Sequence, residues 1–180
     1  ITQTLFRIGS TWLVFLLYAV LLLIVADIAR LIFPSFHHVT LCALGITILL
    51  LVYGYINYRT PHVEHLEIKS EKPLAADNYR IVMASDIHLG YGTSRQDLAR
   101  YVNLINAQQG NVVVIVGDLI DNSIAPVAEA SMLDEFRRVE ARDGIYMVPG
   151  NHEYISGIER CVEHITNSGI VVLRDSIVEL

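Results

Sequence analysis

Three short stretches of this chain concentrate side chains that bind metal ions and move protons. They are Asp86-Ile87-His88, Gly117-Asp118-Leu119-Ile120-Asp121 and Gly150-Asn151-His152-Glu153. Asp and Asn offer oxygen and His offers nitrogen, a set that suits Mn, Fe or Zn rather than a thiolate site. Asp86, Asp118 and Asp121 would repel one another if brought together, and no Lys or Arg lies within the three motifs to offset them. An unpaired carboxylate taken out of water is costly. Bound cations are the natural source of the missing positive charge. Asp-x-His and Gly-Asp-x-x-Asp are each weak signals alone, Gly-Asn-His-Glu after a short apolar strand is a stronger one, and the three in this order point to a metal-binding site.

The elements around the motifs set where these groups lie. Each motif follows a short apolar run: Tyr79–Ser85, Val112–Val116 and Ile145–Val148. Between the runs the pattern predicts helices over Ser94–Gln108, Ala125–Val139 and Ile158–Asn167. Ser94-x-x-Asp97 reads as a capping box, and Gly169 stops the last helix. Further strands are expected at Ile170–Leu173 and Ile177–Leu180, with an edge strand over residues 62–70. Glu71-Lys72-Pro73 and Ala76-Asp77-Asn78 carry turn chemistry. Alternating strands and helices predict an α/β sheet with a parallel section. The motifs then share the carboxyl edge of the sheet, where open α/β sheets bind ligands. The glycines before Asp118 and Asn151 allow the sharp turns that aim those side chains over the edge.

The first third of the chain reads differently. Hydrophobic residues make up 53% of the whole, yet residues 1–59 hold only four charged side chains: Arg7, Asp27, Arg30 and Arg59. Ile8–Ala26 and Val39–Ile56 are uncharged and about long enough to cross a hydrocarbon core of ~30 Å. Neither shows the polar face of a soluble helix. A cleaved signal peptide would explain the first stretch but not the second. Several of Trp12, Tyr18, Tyr53, Tyr55 and Tyr58 fall near span ends, and Pro34, Ser35, His37 and His38 suit a turn between the spans. Arg7 and Arg59, followed by Lys69, Lys72 and Arg80, lie on one side, and Arg30 on the other. The positive-inside rule then expects the folded part in the cytoplasm. The boundary between anchor (1–59) and folded part (60–180) is expected near Arg59–Pro61.

Residues 60–180 carry ten Lys/Arg and eighteen Asp/Glu, a net of −8. No basic stripe is available for a phosphate backbone, so nucleic acid is not an expected partner. Cys42 and Cys161 form no CxxC and read as thiols packed like small apolar residues. His62, His65 and His164 read as solvated or packed histidines.

The three motifs, together with the segment IVMASDIHLG, resemble the first signatures of the calcineurin-like metallophosphoesterase superfamily, over about residues 63–180. The two spans ahead of them resemble its membrane-anchored bacterial branch. The implied fold is a four-layer α/β/β/α sandwich, of which this chain would hold the N-terminal half. The implied reaction is hydrolysis of phosphate mono- or diesters or pyrophosphate esters by a hydroxide held between two divalent ions, Mn, Fe or Zn. In that resemblance Asp86 and His88 ligate the first metal, Asp118 bridges both, and Asn151 ligates the second. His152 stabilises the transition state or protonates the leaving oxygen, and Asp121 and Glu153 support the ligands. The family's Gly-His-x-His element has no match here. The chain is therefore expected to be a piece of a longer protein, with further metal ligands beyond Leu180. A place in a bacterial inner membrane suggests a lipid-linked substrate at the bilayer. Two other functions are compatible with the residues. One is a non-catalytic metal-binding scaffold, the other a membrane sensor that binds a phosphorylated ligand without turning it over.

Overall fold

A computed structural model describes residues 2–34, 38–69 and 78–179 of the chain. Two compact units are present, Ile1–Glu67 and Ile68–Leu180.

The first unit is built on two helices, α1 (Thr2–Ile32) and α2 (Val39–Arg59). Both are long and apolar enough to cross a membrane. The α1 helix, 31 residues long, extends past both ends of the stretch 8–26, because leucine, alanine and arginine continue a helix readily. At the hairpin end the charged residues are partnered. Arg30 lies 3.7 Å from Asp27 and donates to the Thr40 hydroxyl at 2.8 Å. The helices meet through Ala26, Val39 and Ala43, with Leu22, Leu23 and Ala29 against them. Small residues let helix backbones approach closely in an apolar medium. Thr47 is fully buried and returns its hydroxyl to the Ala43 carbonyl at 2.9 Å.

The second unit is an α/β sheet. Its strands are β1 (Ile81–Ala84), β2 (Val112–Val116), β3 (Ile145–Val148) and β4 (Val171–Val172), in the spatial order β1-β2-β3-β4 and all parallel. Helices fill the crossovers: α3 (Arg95–Ala107), α4 (Ala125–Glu129) with a 3₁₀ helix (Met132–Arg138), then α5 (Asn151–Ser156) and α6 (Ile158–Asn167). Alternate strand residues point to opposite faces. Val82, Ala84, Val113, Ile115, Ile145, Met147 and Val172 face the helices, packing with Leu98, Val102, Phe136, Cys161 and Ile165. On the other face Ile81, Met83, Val116, Val148 and Val171 are exposed, Met83 by 71%. A four-layer sandwich sets a second sheet against such a face. The described residues supply the first sheet and its helical layer.

The start of α3 shows why its predicted boundary holds. The Ser94 side chain accepts from the Asp97 amide at 3.3 Å, and the Asp97 carboxylate accepts from the Ser94 amide at 2.9 Å. Burial alone would raise the Asp97 carboxyl, but hydrogen bonds from Ser94 and Arg100 outweigh it and hold that carboxyl below the ordinary Asp value. This contribution is complete above the ordinary Asp range and is lost as pH falls through the lowered one. Ser94→Ala should cost about 1 kcal/mol. The check is a lower urea midpoint at pH 7, with acid unfolding displaced to higher pH.

Several elements differ from the sequence reading. Residues 62–69 form no strand; Leu66 and Ile68 are 85% and 80% exposed. Among the described residues no strand lies alongside this segment, and a strand forms only where a neighbour pairs with it. The helix expected over Ala125–Val139 breaks at Ser131, whose backbone is left-handed (φ 47°, ψ 43°). The 3₁₀ turn that follows buries Met132, Leu133 and Phe136, because its three-residue repeat aligns Leu133 with Phe136. Residues 177–179 form no strand. Ser35, His37, Ser70, the turn over residues 71–77 and Leu180 lie outside the described residues.

Candidate metal centre

The three motifs occupy loops at the carboxyl ends of β1, β2 and β3. Asp86, His88 and Asp118 all have left-handed backbones, at φ 54°, 49° and 52°. For non-glycine residues that conformation costs roughly 1–2 kcal/mol each, so something must hold it. The loops continue the strand pairing. The Asp86 amide donates to the Gly117 carbonyl at 3.3 Å, His88 to Asp118 at 2.9 Å, and Leu89 to Leu119 at 2.8 Å. Gly117 donates to the Val148 carbonyl at 2.9 Å, tying the β2 loop to β3.

Two glycines let the β2 and β3 loops touch. Gly117 is itself left-handed, at φ 73°. A Cβ there would sit 3.0 Å from the Gly150 Cα, and one on Gly150 would sit 2.2 Å from Asp118 Oδ1. Gly150→Ala should therefore displace the Asp118 carboxylate. A cost of about 1–3 kcal/mol in stability is expected, read as a drop in the urea midpoint.

Glu153 is fully buried and holds the loops from beneath. Its Oε2 accepts the amides of Asp118 (3.0 Å) and Gly150 (2.7 Å), and its Oε1 accepts that of Ile120 (2.9 Å). Asp118 Oδ1 accepts the His152 amide at 3.0 Å. These bonds fix Asp118 relative to His152 through both backbone and side chain. Burial, reinforced by the Glu153 charge, pushes the neighbouring Cys161 thiol up to about 11, so it stays neutral.

The half-buried side chains of His88, Asp118 and His152 converge, each offering a nitrogen or oxygen within 4.8 Å of the others. The two imidazoles meet edge to face, with centroids 4.5 Å apart and planes at 79°. Asp121 lies beside both rings: its Oδ1 is 3.2 Å from His152 Nδ1 and 3.7 Å from His88 Nδ1. The His152 Nδ1 is buried and lacks an aligned hydrogen bond. The 3.2 Å contact to Asp121 is within reach but does not form an aligned hydrogen bond. Asp86, whose side chain is 67% exposed, lies 3.8 Å from His88 Nε2. Asn151 is the exposed first residue of α5. The structure thus gathers His88, Asp118 and His152, places Asp86 and Asp121 against the imidazoles, and leaves Asn151 open to solvent.

The sequence reading missed the helix α5 and the extent of the Glu153 role. A signal was present. Gly150-Asn151-His152-Glu153 reads as the cap and first turn of a helix whose third-position Glu reaches back to the cap amide. The Ser156 hydroxyl, donating to the Asp121 carbonyl, also went unanticipated. Two imidazoles and a carboxylate make a donor set that fits borderline divalent ions.

The same residues fall within a family match. Residues 79–175 match the model of the calcineurin-like phosphoesterases. A zebrafish (Danio rerio) protein described as a transmembrane protein with metallophosphoesterase domain is 38% identical over 140 residues, covering 76% of this chain and 32% of that protein. A cattle (Bos taurus) protein of the same description is 34% identical over 114 residues, covering 62% of this chain and 25% of that protein. An uncharacterized metallophosphoesterase of Campylobacter jejuni is 33% identical over 127 residues, 68% of this chain and 33% of its own. The chain spans about a quarter to a third of the length of these relatives. With its parallel sheet and its loop cluster inside the matched segment, the chain belongs to the calcineurin-like phosphoesterase family.

Proposed function

We propose that the protein is a membrane-anchored phosphoesterase that hydrolyses phosphate mono- or diesters or pyrophosphate esters with two divalent ions, Mn, Fe or Zn. The observation that carries this reading is the convergence of His88, Asp118 and His152 within 4.8 Å, with the loops after β2 and β3 tied together by Glu153. When bound, two such ions supply Lewis acidity and an acidified water at neutral pH. The chain's own residues do the rest. Asp86 and His88 would hold one ion, Asp118 would serve both, and Asn151, with a neutral oxygen, would hold the second. Asp121 orients the imidazoles through their Nδ1 atoms, leaving His152 Nε2 to hand a proton to the leaving oxygen. Glu153 keeps the β2 and β3 loops in register.

The apolar helices α1 and α2, and relatives named as transmembrane proteins, support an anchor over residues 1–59 and a catalytic part over 60–180. Arg7 and Arg59 against Arg30 favour a cytoplasmic catalytic part, in a bacterial inner membrane on our reading. Such a site would act on substrates at the bilayer, lipid-linked phosphate esters among them.

The test is hydrolysis of chromogenic phosphate mono- and diesters by detergent-solubilised full-length protein. Turnover should require Mn, vanish with a chelator, and return on adding the metal. Metal binding without turnover would instead favour a scaffold. Tight phosphate-ligand binding without turnover would favour a sensor.

A further inference from the structure

We propose that the open end of the α1–α2 hairpin is a binding site for an anionic phospholipid. The inference rests on the membrane anchoring proposed above and is independent of the phosphoesterase chemistry. An open groove of about 490 Å³ is lined by Arg7, Ile8, Thr11, Trp12 and Phe15 of α1 and by Leu51 of α2. Positions 7, 8, 11, 12 and 15 follow one face of a helix of 3.6 residues per turn. Their chemistry changes along that face. Arg7 and Thr11 are polar; Ile8, Trp12, Phe15 and Leu51 are apolar, with the Trp12 and Phe15 rings stacked at 5.4 Å and 25°.

The hairpin closes at its other end, where Arg30 bonds Thr40. The groove therefore lies at the end where α1 begins and α2 finishes. Trp12 lies about one turn inside the uncharged stretch that begins at Ile8, and Trp is enriched at the membrane–water interface. A cation above an aromatic and aliphatic trough matches one amphiphile: a headgroup phosphate on Arg7, bonded also by the Thr11 hydroxyl, with acyl chain along Trp12 and Leu51. A zwitterionic lipid fills the trough equally well but brings no net charge to Arg7. Selectivity for anionic headgroups is thus the signature of the site.

Trp12 is the single tryptophan of the 180 residues, so its emission reports the groove directly. The full chain is reconstituted in nanodiscs with brominated phosphatidylglycerol or brominated phosphatidylcholine at equal mole fraction. The proposal expects an apparent preference of about five-fold for the anionic lipid, the effect of ~1 kcal/mol carried by one cation near anionic headgroups. High salt should reduce it. Arg7→Gln should abolish the preference and Arg7→Lys should keep most of it. Equal quenching by both lipids, or a preference that survives Arg7→Gln, overturns the site while leaving the anchoring intact. Quenching by neither lipid, as when a second copy of the chain covers the groove, overturns the site as well.

Discussion

Asp118→Asn is expected to lower metal-dependent turnover by at least about 10³-fold while leaving the fold intact. The substitution keeps size and shape. Its amide oxygen can still accept the His152 amide that Asp118 Oδ1 accepts at 3.0 Å, and Asn tolerates the left-handed backbone at this position. What it removes is a negative charge from the point where His88 and His152 converge. Cations at such a site contribute several kcal/mol of transition-state stabilisation, and each 1.36 kcal/mol is a factor of ten. The measurement is the Mn-dependent hydrolysis rate, with the urea midpoint as control. A variant with the wild-type rate would remove Asp118 from the chemistry.

Glu153→Gln should behave differently, losing stability as well as metal affinity. The native carboxylate satisfies three backbone amides from two loops, with both oxygens accepting. A glutamine has one oxygen and one NH₂ group. Whichever way it turns, a donor faces a donor in a fully buried position. Hydrogen bonds to a buried charged group are worth roughly 1.5–3 kcal/mol each, so a loss of about 3 kcal/mol is expected. The loosened loops should weaken metal binding by about 10–100-fold, as losing a ligand's supporting partner does elsewhere. Denaturation and a metal titration on the same variant separate the two effects. An unchanged urea midpoint would show that Glu153 does not brace the loops.

The contrast between these two carboxylates reflects what a sequence reveals. The donor atoms were legible because their chemistry is a property of residue type, and three strand-end motifs place them on one edge. The run Val112–Val116 and the Ser94–Asp97 cap were legible because a buried parallel strand and a helix start are local patterns. Glu153 looked like a supporting residue, but its three amide partners come from residues 33 to 35 positions away and from its own cap. The break at Ser131 was hidden because a left-handed residue there is stabilised by burying Phe136 and Leu133, which is a tertiary effect. Residues 62–69 alternate like a strand, yet pairing is decided by a neighbour and not by alternation.

The convergence of the three loops on bound cations is most directly tested by anomalous diffraction from full-length protein crystals equilibrated with Mn. The account predicts an anomalous peak in coordination contact with His88 and Asp118, beside His152. Density without such a peak, in crystals where these three side chains still lie together at saturating Mn, would contradict it.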